Sequence, residues 1–229
     1  MRNVRILAAL GLLGAAGAAN AEVSTSWTLA SDYNYRSFSQ TAKDPALQGS
    51  VDFAAENGWY VGAWASNIDF GDDVDADIEL DLYTGFSGET GTGMGWDAGI
   101  VYYSYPGESD LNFFEIYGGL SYGMFSTKLW YSDEFAGEGG DSAYYLEGGV
   151  DIPIAESGFS VSLHAGYSGG DFWEDADAEY LDYSIGLGYS MKNFDFTLAW
   201  VDQDGDETTD DLFNNEGRVI FSVATTFPW

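Results

Sequence analysis

From about residue 22 to its end the chain repeats one pattern, runs of roughly ten residues in which apolar and polar positions alternate. Alternation with a period of two puts the two sets on opposite faces of an extended strand. Over 78–86, Ile78, Leu80, Leu82 and Phe86 share one face, and Glu79, Asp81 and Tyr83 share the other. Over 159–167, Phe159, Val161, Leu163, Ala165 and Tyr167 oppose Ser160, Ser162, His164 and Gly166. Over 181–189, Leu181, Tyr183, Ile185, Leu187 and Tyr189 oppose Asp182, Ser184, Gly186 and Gly188, and near the end Val219, Phe221, Val223, Phe227 and Trp229 line up. Twelve such runs are predicted: 22–33, 46–56, 59–70, 78–89, 95–105, 112–123, 125–133, 143–154, 159–168, 179–191, 194–203 and 217–229. They are long for a soluble protein, whose strands average about 5–6 residues. They suit a tilted strand that crosses a bilayer, which needs about 9–11.

The connections alternate too. Short turns fall at Asn57-Gly58, 90–94, Gly123-Met124, 155–158 and Lys192-Asn193; long acidic ones fall at 34–45, 71–77, 106–111, 134–142, 169–178 and 204–216. Asn-Gly between alternating runs is a strong hairpin signal, and short turns on one rim with long loops on the other characterise outer-membrane barrels. An even strand number puts both termini on the short-turn, periplasmic rim. The expectation is therefore all-β: a transmembrane antiparallel up-and-down β-barrel of about 12 strands over 22–229. No stretch after residue 21 holds the roughly 18 apolar residues of a membrane helix. A soluble sandwich would hide its apolar faces, whereas the barrel turns them outward. Aromatics near strand ends (Trp27, Tyr33, Trp59, Phe70, Trp96, Tyr105, Phe135, Trp173, Phe194 and Trp229) are expected to form interfacial girdles. The terminal Trp229 on an apolar face resembles the signal read by the barrel assembly machinery, an expected partner alongside outer-membrane lipid and lipopolysaccharide.

Composition narrows the picture. Cysteine is absent, which removes disulfides and thiolate metal sites. An aromatic content of 17% is too high for a disordered acidic chain. Arg2 and Arg5, the apolar run Ile6 to Ala19 and the small residues of Ala19-Asn20-Ala21 read as a signal peptide over 1–21, hence export to the outer membrane of a Gram-negative cell. The formal net charge of −31 excludes nucleic acid as a partner and attracts cations.

Several segments resemble the TorF-type porin family. They are Ser31-Asp32-Tyr33, Arg36, Ser39-Gln40-Thr41, Asp44-Pro45-Ala46-Leu47-Gln48-Gly49, Gly58-Trp59-Tyr60-Val61-Gly62-Ala63-Trp64-Ala65-Ser66-Asn67, Ile78-Glu79-Leu80-Asp81-Leu82-Tyr83, Tyr102-Tyr103-Ser104-Tyr105-Pro106-Gly107 and Arg218-Val219-Ile220-Phe221-Ser222. The resemblance covers nearly all of 22–229 and implies an outer-membrane location and a porin-like role, with no substrate. Ser37 departs from it, standing where the family pattern Arg-Gly-x-Ser-Gln has glycine.

Alternation assigns Asp52, Glu56, Glu79, Asp81, Asp97, Glu115, Lys128, Glu147, Asp151, His164, Asp182, Asp195 and Arg218 to the inner face. Ten of these thirteen are carboxylates, and rings of Asp and Glu make pores favour cations. Candidate lumen residues are thus Asp52, Glu79, Asp81, Asp97, Glu115, Glu147, Asp151, Asp182 and Arg218. Arg36, where the first strand meets the first long loop, is the candidate loop anchor or constriction. Acidic loop clusters (Asp69, Asp72, Asp73, Asp75 and Asp77; Asp171, Glu174, Asp175, Asp177 and Glu179; Asp202, Asp204, Asp206, Glu207, Asp210 and Asp211) read as solvated charge. Asp202, Asp204 and Asp206 are weak metal candidates that fail the EF-hand template. Gly91-Thr92-Gly93-Met94-Gly95 is a turn and not a phosphate loop. The functional expectation is a passive channel, without cofactor or catalytic residue, for cations and small neutral or cationic solutes. A closed structural or loop-binding barrel is the first alternative. A hydrolase centred on His164 is the second, weakened because Ser162, two residues along the same strand, stands about 6.5 Å away by the strand rise.

Overall fold

The computed structural model describes residues 21–174, 177–205 and 215–229. The predicted signal peptide lies almost wholly outside the described residues, as do Asp175, Asp206, Glu207, Asp210 and Asp211. Twelve long strands form one closed antiparallel barrel: β1 (Glu22–Ala30), β4 (Ala46–Ala54), β5 (Trp59–Asn67), β6 (Ile78–Glu89), β7 (Gly95–Ser104), β8 (Phe113–Tyr122), β9 (Phe125–Ser132), β10 (Ala143–Ile154), β11 (Phe159–Gly169), β12 (Tyr180–Met191), β13 (Phe194–Gln203) and β14 (Arg218–Pro228). The two-residue strands β2 (Asn34–Tyr35) and β3 (Phe38–Ser39) pair with each other inside the first long loop. Helical structure among the described residues is confined to a 3-10 turn (Ser109–Leu111) and the one-turn α1 (Asp171–Glu174), both in loops.

Each strand pairs with its neighbours in sequence, and β1 closes the cylinder on β14 from Ser24↔Pro228 to Ala30↔Ser222. The Trp229 N–H donates to the Val23 carbonyl at 2.8 Å and extends this seam to the end of the chain. Closure leaves no unpaired edge. All twelve predicted runs are strands, mostly one to three residues shorter than their alternation, because turn geometry takes over at the rims. Glu56 is one casualty: expected inside, it lies exposed in the short turn between β4 and β5.

The side chains are inside-out relative to a soluble protein. Val51, Leu82, Ile116, Leu129, Ile185 and Phe221 all point outward and are exposed. Polar residues and tyrosines point inward and are buried: Glu79, Asp81, Tyr83, Asp97, Tyr103, Glu115, Lys128 and Asp182. Inward glycines make room for the large rings. A Cβ at Gly166 would fall 2.0 Å from the Tyr145 hydroxyl, and one at Gly62 would fall 2.4 Å from the Tyr83 ring, so both are places of close approach that only glycine permits.

The girdle expectation needs correcting in half its members. Trp27, Trp59, Trp96, Phe194 and Trp229 do lie exposed on the outer surface. Tyr33, Phe70, Tyr105 and Phe135 are instead buried, and Trp173 is half-buried against them. They sit in the long loops, where alternation no longer dictates direction, and they pack together as a core that caps the long-loop end.

Candidate functional site

The first long loop does not stand out from the rim. After β1 the chain turns inward at Asp32, forms the β2–β3 hairpin within the barrel mouth and returns to the wall at Ala46. Tyr33, Ser37, Ser39 and Thr41 are each at most 1% exposed. Local bonds give the loop its shape. Asp32 accepts from the hydroxyls of Ser39 at 2.6 Å and Thr41 at 3.2 Å, and the Gln40 amide donates to the Tyr33 carbonyl at 2.7 Å. Arg36 and Ser37 form the two-residue turn of the hairpin, with φ of 47° and 76°. Two successive positive φ angles mark the turn type that favours Asn-Gly.

Two arginines pin this plug to the wall. The Arg218 Nε at the start of β14 donates to Asp32, while its Nη1 and Nη2 donate to the Ser37 carbonyl and Asn34 Oδ1, both at 2.9 Å. From the plug, Arg36 Nη2 reaches Glu115 on β8, at 2.8 Å from Oε1 and 2.7 Å from Oε2. Glu115 also accepts from the Tyr103 hydroxyl at 2.9 Å and is 1% exposed. The Arg36 guanidinium lies over the rings of Tyr145 at 4.4 Å, Tyr35 at 4.7 Å, Phe135 at 5.7 Å and Trp130 at 5.9 Å. Further ties are the Tyr180 hydroxyl donating to the Arg36 carbonyl at 3.0 Å and Phe38 packing on Trp173 and Tyr180. The Tyr33 hydroxyl donates to Glu79 at 3.1 Å. Burial, with Glu79 and Asp81 alongside, pushes the Tyr33 phenol well above its ordinary value, which keeps it an O–H donor.

Arg36 sits at the tip of the loop and contacts Glu115 on the wall. Arg218 is a clamp on the plug and not a residue of open lumen. Asp81, deep under the plug, is 0% exposed and lies beside the Glu79 carboxyl. Asp97 pairs with Lys128 at 3.2 Å and accepts from the Tyr60 hydroxyl at 2.6 Å; Lys128 also sits over the rings of Tyr117 and Trp130.

The short-turn half of the interior is wetter. Asp52, Asp195 and Thr197 point inward there, and Glu147, His164 and Ser184 point inward nearer mid-height; all are only half-buried, while Asp151 is exposed at the rim. The interior is also two-faced. Bulky rings and carboxylates of β6–β10 fill one side, and small polar residues such as Ser26, Thr28, Ser50, Ser162, Ser184, Thr197 and Ser222 line the other. His164 holds together a polar cluster: its Nε2 lies 2.9 Å from the Tyr145 hydroxyl and 3.1 Å from Asp182, and its Nδ1 lies 3.6 Å from Glu147. Among the described residues neither Ser160 nor Ser162 is a hydrogen-bond partner of this imidazole, so the arrangement of a serine nucleophile and its base is not present. Asp204 accepts from the Leu181 amide at 2.7 Å and Asp202 from the Gln203 amide at 2.9 Å. The weak metal candidates in view thus have local backbone partners.

Sequence reading offered Arg36 as a residue that fixes the first loop inward or bridges lumen carboxylates, but did not single out Glu115 as its partner. A buried cluster of Ser-Gln-Thr polar residues flanked by aromatics, in the one long loop that carries Arg36, was the available signal.

A family model described as "Bacterial protein of unknown function (Gcw_chp)" matches residues 14–227. No curated protein matches the chain by sequence. Among solved structures, the KdgM porin aligns with a TM-score of 0.57 at 10% identity, covering 89% of this chain and 98% of that one. The NanC porin aligns with a TM-score of 0.54 at 10% identity, covering 90% and 98%. An outer membrane channel from Pseudomonas putida F1 aligns with a TM-score of 0.50 at 9% identity, covering 92% and 96%. At such identities the likeness concerns the fold.

Proposed function

The chain belongs to the bacterial Gcw_chp family, and we propose that it works as an outer-membrane porin-like channel, throttled by its first long loop and preferring cations. The observation that carries the reading is the inverted barrel. Fully burying one Leu, Ile or Phe side chain is worth about 1.5–3 kcal/mol. A closed cylinder with such residues around its whole circumference, Leu82, Ile116, Ile185 and Phe221 among them, therefore calls for an apolar surrounding, and strands can meet lipid only when closed into a barrel. The fold shared with porins and the resemblance to TorF-type sequences support the same reading. The apolar leader, read as a signal peptide over 1–21, supplies the export route this location needs. Lipid, lipopolysaccharide and, through the strand ending at Trp229, the barrel assembly machinery are the partners it implies.

Cation preference follows from the wetter half of the lumen. Arg36, Arg218 and Lys128 are already paired with Glu115, Asp32 and Asp97. Asp52, Glu147 and Asp195 remain inward-facing, reachable by water and, among the described residues, without a lysine or arginine partner. A narrow tube with an unbalanced charge of one sign concentrates counter-ions. Full burial of Tyr33, Asp81, Tyr103 and Glu115 favours the second reading, a barrel held shut at the long-loop end.

Planar-bilayer recording separates these readings. The channel reading expects small discrete conductance steps, and under a KCl gradient a reversal potential on the potassium side. Asp52→Asn, Glu147→Gln and Asp195→Asn together should move that potential toward chloride. Absence of steps from both the wild type and a plug-released variant leaves only the closed barrel.

A further inference from the structure

The aromatic box around Arg36 is mostly built by the barrel and not by the loop that enters it. Glu115, Tyr103, Trp130 and Tyr145 stand on the neighbouring strands β8, β7, β9 and β10, and the wall keeps them whether or not the plug is in place. A carboxylate aligned with one planar guanidinium, beneath faces of Trp and Tyr, is the chemistry that recognises delocalised organic cations. With the plug withdrawn, Glu115 would be a carboxylate among rings that has lost its arginine, while the nearby wall cation Lys128 stays engaged by Asp97. The loop tip that delivers Arg36 is held against its backbone preference, with non-glycine residues at φ of 47° and 76°, so release relieves strain. The Tyr145 hydroxyl that floors the box bonds His164 and Asp182, and His164 is open to the wetter half of the lumen. The box therefore adjoins the route a solute would travel.

We propose that this box is a binding site for guanidinium-bearing solutes, that Arg36 is its tethered occupant, and that free guanidinium compounds compete with Arg36 for Glu115. This deepens the channel reading and rests on it for its role in permeation, by assigning the solute class that relieves the plug.

The test is calorimetric titration of the full barrel in detergent with ethylguanidinium chloride, with sodium chloride and ethylammonium chloride at equal ionic strength as controls. Arg36→Ala should bind ethylguanidinium saturably, and wild type at least about tenfold more weakly, because a tethered competitor acts at millimolar or higher effective concentration. Adding Glu115→Gln to Arg36→Ala should abolish saturable binding, and ethylammonium should bind more weakly than ethylguanidinium. Equal titrations for Arg36→Ala with and without Glu115→Gln, or for wild type and Arg36→Ala, would overturn the proposal, as would sodium acting as well as ethylguanidinium. If Arg36→Ala fails to yield a heat-modifiable barrel, Arg36→Lys keeps the charge but loses the flat head, and should bind ethylguanidinium more tightly than wild type does; no gain overturns the proposal. Because binding is read without a bilayer, a barrel that binds but does not conduct keeps the box and removes the channel, while one that conducts without binding does the reverse.

Discussion

Ser37 shows the physics of the plug at the scale of one residue. Its φ of 76° lies where a Cβ is unfavourable, and its buried hydroxyl has no hydrogen-bond partner among the described residues. A left-handed conformation costs a non-glycine residue about 1–2 kcal/mol, and an unsatisfied buried hydroxyl adds to that. Against it, glycine raises the entropy of the unfolded chain by about 0.4–1 kcal/mol. Ser37→Gly is therefore expected to stabilise by about 1 kcal/mol, a rise of roughly 2–4 °C in melting temperature for a chain of this size, read by thermal unfolding in detergent. A lower melting temperature would mean that the hydroxyl has a role the geometry does not reveal. Lys128 offers the opposite case. Its ammonium faces Asp97 in the buried wall, with Tyr117 and Trp130 rings against it. Removing one partner of such a pair strands the other charge and costs about 3–5 kcal/mol, whereas replacing both is nearly neutral. Urea titration should find Lys128→Met far more destabilised than Lys128→Met combined with Asp97→Leu, and equal losses would contradict the pairing.

At the scale of elements, the barrel and its plug differ in what holds them. The strands are fixed by register with two neighbours each. The plug hangs on two side-chain clamps, Arg36 to Glu115 and Arg218 to Asp32, and on the packing of Phe38 against Trp173 and Tyr180. Cutting both clamps with Arg36→Ala and Arg218→Ala should free the loop and leave the cylinder intact. Single-channel conductance is then expected to rise severalfold while the heat-modifiable band on gels persists; unchanged conductance would mean the loop does not limit the path. The same contrast explains what could be read in advance. Leu80, Leu82, Glu79 and Asp81 declare their faces by alternation alone, because neighbours two apart on a strand must share a side. Tyr33, Phe70, Tyr105 and Phe135 do not, because a loop has no period. From sequence they read as girdle residues, although they form the cap. The partnership of Arg36 with Glu115 spans 79 positions and depends on which strand the loop leans toward, which no local pattern encodes. The sequence signal that did exist, Ser37 where the family pattern has glycine, pointed to the turn and not to its partner.

Taken whole, the molecule is a cylinder with an apolar outside, a polar inside and an asymmetric lumen. Carboxylates and rings fill one wall, serine and threonine line the other, and the arginine-clamped loop closes the long-loop end. The proposed location, conduction and cation preference all rest on the outside–inside division. The chain has no cysteine, so single introduced cysteines carry unique spin labels. In proteoliposomes, labels at Leu82, Ile185 and Leu198 should collide with dissolved oxygen, which concentrates in lipid, and be shielded from a water-soluble nickel chelate. Labels at the inward, water-reachable Ser162, Ser184 and Thr197 should show the reverse, so that accessibility switches between Ser184 and Ile185 on β12 and between Thr197 and Leu198 on β13. Equal accessibility of both sets, or nickel reaching Leu82 and Ile185, would contradict the inverted barrel and the channel inferred from it.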